Sequence, residues 1–177
     1  MKRFLPHSAE YIIIDDYPRQ SFLKDELCKT IENMEDVQGR QTVVKAKMSH
    51  WSIDSNEISK LKTFIIENNS LYPFISFEIS DINIWANCYR KGDYTVSHDH
   101  LPALLSIAYF LKSKRYFSPL VFEGTWRKIK IKPKEGRLVI FPSYFKHNVP
   151  IHKLNDARIT LSGNLNVPSD GAPYSVK

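Results

Sequence analysis

Asp93-Tyr94-Thr95-Val96-Ser97-His98-Asp99-His100 is a run of β-forming and small polar residues with a period of two. Read as a strand, it turns Tyr94, Val96, His98 and His100 to one face and Asp93, Thr95, Ser97 and Asp99 to the other. Two imidazoles one residue apart on a strand are pre-spaced to chelate, and neutral nitrogen donors converge most commonly on a metal ion. A hydrogen-bonded or surface pair of histidines satisfies the same two residues, so a third donor is needed. The chain offers His147, in Phe141-Pro142-Ser143-Tyr144-Phe145-Lys146-His147-Asn148-Val149, which folding would have to bring back.

Strand signals surround this run, at 75–79, 82–89, 93–100, 104–111, 119–123, 128–132, 137–141 and 158–165, with no helix between them. Short consecutive strands of this kind predict an antiparallel sandwich or jelly roll. Upstream, Tyr11-Ile12-Ile13-Ile14 reads as a strand closed by Asp15-Asp16-Tyr17-Pro18, and 42–47 reads as another. Between them, Ser21 is the expected N-cap of a helix reaching about residue 35, with Leu23, Leu27, Ile31 and Met34 along one side. Asp54-Ser55-Asn56-Glu57 resembles a capping box, and Ile58, Leu61 and Ile65 give the stripe of a second helix ending near Asn69. Both helices are expected to cover a sheet. The expected organisation is one domain over 1–177, with a supporting segment at 1–73, a β core at 74–166 and a tail at 167–177.

Two strands carry polar groups on one face. In Ile82-Asn83-Ile84-Trp85-Ala86-Asn87-Cys88-Tyr89, Ile82, Ile84, Ala86 and Cys88 share a core face, while Asn83, Trp85, Asn87 and Tyr89 suit either a polar pocket or solvent. In Arg158-Ile159-Thr160-Leu161-Ser162-Gly163-Asn164-Leu165 the even positions are polar and the odd ones mostly apolar. Arg158 follows His147 by eleven residues, close enough for a turn to bring its guanidinium beside a metal held there.

A chain of 177 residues, 42% hydrophobic and 25% charged, argues against disorder, and no apolar run is long enough to span a bilayer. The start carries positive charge but no apolar signal core. The two cysteines, Cys28 and Cys88, fall in different expected elements, which suits a soluble protein of a reducing cytoplasm rather than a disulfide scaffold. Much of the net charge of +6 lies in Arg127-Lys128-Ile129-Lys130-Ile131-Lys132-Pro133-Lys134. That alternation puts Lys128, Lys130 and Lys132 on one strand face. A solvated face that discourages edge pairing is the simplest reading; an acidic substrate or nucleic acid is the alternative, with nucleic acid not expected as the primary partner.

Taken in order, Trp85-Ala86-Asn87, His98-Asp99-His100-Leu101-Pro102, Leu105-Ser106-Ile107-Ala108-Tyr109-Phe110, Gly136-Arg137-Leu138-Val139-Ile140-Phe141-Pro142-Ser143, His147 and Arg158-Ile159-Thr160 resemble a known set of motifs. They resemble the 2-oxoglutarate/Fe(II)-dependent oxygenases, and more narrowly the small oxygenases of bacteriophages and marine bacteria, distantly related to prolyl 4-hydroxylases. The likeness runs from about Tyr11 to Asn166. It implies a mainly β double-stranded β-helix (jelly roll, cupin-like) with flanking helices. It also implies Fe(II) and 2-oxoglutarate as cofactors, O2 as cosubstrate, and hydroxylation of a small-molecule or peptide substrate with release of succinate and CO2.

By the same resemblance His98, His100 and His147 hold the iron. The superfamily usually carries His-x-Asp/Glu; here the third position is His100, and the carboxylate, Asp99, stands one residue early on the opposite face. A bulge at His98 would instead turn Asp99 inward in place of His100. Three neutral ligands leave the metal its full double positive charge. Arg158 is implied to grip the distal carboxylate of 2-oxoglutarate, which suits a permanently charged, bidentate group. Tyr94, on the histidine face, and Thr160 or Ser162, on the Arg158 face, could add hydrogen bonds. Asn87 and Ser106 match positions near the pocket, where packing and strand hydrogen bonding explain them as well. No catalytic acid or base beyond the ligands is required.

Two rival readings remain at this level. One is a cupin-like three-histidine metalloenzyme that does not use 2-oxoglutarate, from which Arg158 is the discriminator. The other is a metal-free jelly-roll binding module in which the histidines only hydrogen-bond. His152 lies too close before Arg158 to replace His147 well, and His7 and His50 read as surface or packing residues. Peptidyl proline, a free amino acid, a nucleobase and a small metabolite all fit as substrate, selected by loops such as 101–103, 112–118 and 166–177.

Overall fold

The β-branched and alternating runs become strands, and the two stretches of helical spacing become helices. The computed structural model describes residues 3–7, 10–37, 41–67, 79, 81–124 and 127–166. In chain order the elements are β1 (Arg3–His7), β2 (Glu10–Asp16), α1 (Gln20–Asn33), β3 (Val44–Lys45), β4 (Lys47–Met48), α2 (Asn56–Glu67) and β5 (Asp81–Tyr89). They continue with β6 (Tyr94–His98), β7 (Leu105–Lys112), β8 (Leu120–Phe122), β9 (Ile129–Ile131), β10 (Arg137–Pro142), β11 (His147–Val149) and β12 (Arg158–Asn166).

The strands form two antiparallel sheets, a major one ordered β1-β2-β10-β7-β12-β5-β4 and a minor one ordered β3-β6-β11-β8-β9. This is the mainly β jelly roll with flanking helices expected from the sequence. The major sheet has an apolar cluster on each side. On its outer face Leu23, Leu27 and Ile31 of α1 and Ile58, Leu61 and Ile65 of α2 pack on Ile82, Ile84, Ala86 and Cys88 of β5 and on Ile159 and Leu161 of β12. Between the sheets lie Ile12, Trp85, Tyr89, Phe110, Phe122, Val139, Phe141 and Val149. Leu23 and Leu61 are fully buried, so truncating either to alanine costs about 2–5 kcal/mol. No helix among the described residues is long and apolar enough to cross a membrane.

Several local expectations are corrected. The stretch read as one strand at 42–47 is two: β3 pairs with β6 in the minor sheet, and after Ala46 the chain crosses to pair β4 with β5 in the major sheet. A fully buried alanine is small enough to let the chain pass between the sheets. Ser21 lies inside α1; the N-cap position is Arg19, whose guanidinium has no acceptor with which to cap a helix N–H and pairs with Glu57, at 2.8 and 3.1 Å. At α2 Ser55 caps the Ile58 N–H, and Glu57 pairs with Arg19 and Lys60 rather than closing a box. The strand expected at 75–79 lies outside the described residues apart from Ile79, as does the tail 167–177. β1 and β11 were not expected.

The β12–β5 ladder is the longest, nine residue pairs from Arg158↔Tyr89 to Asn166↔Asp81. Gly163 permits the close approach, since a Cβ there would lie 2.6 Å from the Asn83 carbonyl oxygen.

Candidate active site

Between the sheets lies a cavity of about 180 Å³ whose lining includes Trp51, Trp85, Asn87, Tyr89, Thr95, His98, Asp99, His100, His147, Arg158, Thr160 and Ser162. Its minor-sheet wall depends on an irregularity. His147 pairs with His98 but Val149 pairs with Thr95, so β6 fits one more residue than β11 between these points. This β-bulge reverses the strand's parity. Thr95 is buried and faces the cavity, while Tyr94 and Val96 are exposed, and beyond the bulge His98 turns in again. The strand ends there, and His100 is set in the following loop by its backbone N–H, which donates to the Ser143 carbonyl at 2.8 Å.

The ligating atoms of His98, His100 and His147 all lie within 4.8 Å of one another. His98 Nδ1–H donates to the Val96 carbonyl and His147 Nδ1–H to the Phe145 carbonyl, each at 2.8 Å. Those bonds fix the tautomers and leave each Nε2 with its lone pair, the second-shell arrangement usual for metal-bound imidazoles. His100 Nε2 stands 3.2 Å from His147 Nε2. Burial is the main cause that keeps all three rings neutral. It lowers the His98 pKa, and with the neighbouring His98 it lowers that of His100 to about 4. His147 is pushed well below its ordinary value by burial, then by His98 and His100. Three neutral imidazoles with converging lone pairs fit a divalent transition-metal ion such as Fe(II). Asp99 is outside this cluster; its Oδ1 accepts the Leu101 N–H at 3.3 Å.

On the major-sheet wall β12 pairs with β5 without a shift in register, while against β7 the register slips by one residue between Ile159 and Thr160. Arg158 is 1% exposed, its Nη1 donates to Thr160 Oγ1 at 2.8 Å, and its guanidinium carbon stacks 4.7 Å from the Tyr89 ring and 5.3 Å from Phe110. Among the described residues no carboxylate pairs with it, and its Nε–H is buried without a partner. Asn87 Nδ2 donates to Ser162 Oγ at 2.9 Å, and Asn87 Oδ1 is likewise buried and unpartnered. A buried cation lacking an anion costs free energy, so the site is complementary to a small carboxylate.

Other expected residues lie elsewhere. Tyr94 is 38% exposed and does not line the cavity, because the bulge gives its face to Thr95. Ser106 is held in a buried network, donating to Asn164 Oδ1 at 2.9 Å and bonded to Ser143 Oγ at 2.7 Å. His152 is fully buried and bonded to the Asp156 carbonyl. Sequence reasoning missed Thr95, hidden by the bulge, and Trp51, whose ring meets Trp85 edge-on at 5.1 Å from a loop with no periodic signal. Tyr89 was legible only as a member of the Asn87 face; its hydroxyl bonds Thr95 Oγ1 at 2.8 Å, tying the two walls together.

Residues 122–164 match a family model described as "Putative 2OG-Fe(II) oxygenase". No curated protein matches the chain by sequence. Among solved structures, a Pseudomonas putida prolyl-4-hydroxylase is similar with a TM-score of 0.70 at 13% identity, over 89% of this chain and 93% of that one. The viral collagen prolyl hydroxylase of Paramecium Bursaria Chlorella virus-1, solved with 2OG, gives a TM-score of 0.70 at 17% identity, over 90% and 98%. A Trichoplax adhaerens prolyl hydroxylase, solved with a hypoxia inducible factor peptide, gives 0.65 at 15%, over 88% and 83%. At such identities the likeness is one of fold. The chain thus has the fold of these prolyl hydroxylases, and its segment 122–164 matches the 2-oxoglutarate/Fe(II) oxygenase model.

Proposed function

We propose that the protein is an Fe(II)- and 2-oxoglutarate-dependent dioxygenase that hydroxylates a peptide or amino-acid substrate. His98, His100 and His147 hold the iron, and Arg158 anchors the distal carboxylate of 2-oxoglutarate. The observation that carries this reading is the pairing, in one cavity, of three neutral imidazoles with a buried guanidinium that no carboxylate among the described residues neutralises. When bound, the iron and its cosubstrate supply oxidative decarboxylation: 2-oxoglutarate, O2 and a C–H bond become succinate, CO2 and a C–OH group.

The chain's own residues bind, orient and exclude water. Thr160 fixes one arm of the Arg158 guanidinium and Tyr89 fixes its plane, so a carboxylate meets a fork already set. Phe141 and Phe122 pack beside His147 and Trp85 beside His100, keeping the imidazole side of the cavity apolar. A peptide substrate is supported by the prolyl hydroxylases of the same fold, one of them solved with a peptide. A cytoplasmic setting suits the two free thiols, Cys28 and Cys88.

Anaerobic titration of the Fe(II)-loaded protein with 2-oxoglutarate tests the reading, with a visible metal-to-ligand charge-transfer band as the expected result. Iron binding without a band would favour a cupin-like three-histidine enzyme, to which the lack of a carboxylate in the cluster also points. Failure to bind iron would favour a metal-free binding module.

A further inference from the structure

A second concavity, of about 770 Å³, shares no lining residue with the first. Its walls come from β1 and β2 at the edge of the major sheet, from β9 at the edge of the minor sheet, and from the segments around 113–115 and 132–137. Six cations line it: Arg3, Arg115, Lys130, Lys132, Lys134 and Arg137. The single carboxylate among the described lining residues, Glu135, is already held by Lys24 at 2.8 Å and by the Ser113 N–H at 3.2 Å. Lys134 is paired with Asp16 at 2.6 Å. Among the described residues Arg3, Arg115, Lys130 and Lys132 have no carboxylate partner, and the half-buried Arg137 has a buried Nε–H with no acceptor.

This concentration of unneutralised cations is complementary to an anion with several charges. β9 sets its geometry. Ile131 points into the core while Lys130 and Lys132 flank it on the exposed side, two residues and so roughly 6.7 Å apart along the strand. A single small anion cannot meet charges spread over so wide a groove, whereas a chain of phosphates can. Among the described residues none of the large exposed apolar side chains, such as Trp51, Leu101 or Tyr116, lines the groove, so these residues do not suit insertion into a lipid surface. Among the described residues no aromatic side chain lines it either, so those residues read a phosphate backbone rather than stacked bases.

We propose that this groove binds the phosphate backbone of nucleic acid, without base preference, as a docking site separate from the oxygenase cavity. Contacts of this class position a protein on a duplex and carry no sequence information. The proposal does not depend on the chemistry of the first cavity.

Fluorescence polarisation with a labelled 20-base-pair DNA duplex of arbitrary sequence tests it, using the full chain at 50 and 200 mM NaCl. With about four phosphates neutralised, log K should fall against log salt with a slope near −3.6, a loss of about 150-fold over that range. A second duplex of scrambled sequence should bind within about twofold. Lys130→Glu/Lys132→Glu should weaken binding more than tenfold and roughly halve the slope, with the melting temperature unchanged. Arg115→Glu is the second variant, should the first fail to fold. No binding at 50 mM NaCl, a salt-independent affinity, or equal binding by the charge-reversed variants would overturn the proposal. So would equal affinity for poly-glutamate or for phosphatidylserine vesicles, which would assign the groove to an acidic protein or a membrane.

Discussion

The two walls of the histidine–arginine cavity differ in kind. On the minor sheet, His98 and His147 stand on strands of five and three residues joined across a bulge, and His100 stands in the loop beyond. On the major sheet, Arg158, Thr160 and Ser162 stand on nine-residue β12, matched pair for pair by β5. A regular strand sets same-face neighbours about 6.7 Å apart. That spacing suits a row of groups along an elongated carboxylate. It does not suit three donors converging on a point, and the cluster within 4.8 Å is reached only where the backbone leaves regularity. Convergence is built where β6 itself carries the extra residue, and the linear array where β12 runs unbroken along β5, the slip beside it being taken up by β7.

The sharpest way to separate the walls is to remove one charge or one donor from each. Arg158→Met should weaken 2-oxoglutarate binding by about 30-fold to more than 1,000-fold, the loss expected when a buried ionic hydrogen bond is truncated. Iron affinity should stay unchanged, and the cosubstrate-free protein should melt at the same or a higher temperature, because an unpaired buried cation is gone. His147→Ala should lower iron affinity by more than the roughly 10–100-fold cost of losing a second-shell partner, and the charge-transfer band with it. Anaerobic titration with metal and then cosubstrate reads both; equal loss of iron in the two variants would erase the distinction.

A smaller effect tests where the walls meet. Tyr89→Leu removes both the ring under Arg158 and the bond to Thr95, and should weaken 2-oxoglutarate binding by about 2- to 30-fold. Tyr94→Leu should change it by less than about twofold, because Tyr94 faces solvent. If titration gave the reverse order, β6 would have to lack its bulge.

The smallest expected effect lies in the helical layer, away from both walls. Hydrogen bonds from Arg19, and next from Lys60, hold the Glu57 carboxyl at about 2, below its ordinary value of 4.5. A carboxyl lowered by folding stabilises the fold at any pH above its ordinary value, and that contribution is lost as pH falls from about 4.5 through about 2. Glu57→Gln should therefore flatten the melting temperature against pH in this window, with little change in iron or cosubstrate affinity at neutral pH. A shift in either affinity would mean that the helices tune the cavity.

Regularity also decided what was legible. β12 and β5 could be read residue by residue, because strict alternation separated Ile82, Ile84, Ala86 and Cys88 from Trp85, Asn87 and Tyr89, and Arg158 from Ile159. The helices were legible from Leu23, Leu27 and Ile31 and from Ile58, Leu61 and Ile65, though not the start of α1, where the donor-only Arg19 stands at the N-cap position. The three histidines were found as residue types at suggestive spacing, but the reason that His98 and His100 meet His147 was not. Parity from Tyr94 predicts the right face for His98 and the wrong one for Thr95, and only the pairing of β6 with β11 reveals the extra residue between them. A three-residue strand such as β11 carries too few positions to show a period. The strand split at Ala46 was hidden for a related reason, since which sheet a residue joins is settled by its partner strands.

β12 has a consequence for how such a chain can diverge. One face of it packs Ile159, Leu161 and Leu165 into the core, and the other presents Arg158, Thr160 and Ser162 to the cavity. Substitutions can therefore be sampled on the cavity face one at a time while the core face is left alone. Insertion or deletion of a single residue would swap the two faces along the rest of the strand, driving polar side chains into the apolar cluster and leucines into the pocket. Lineages of this protein are free to vary the lettering of the strand but are held to its length.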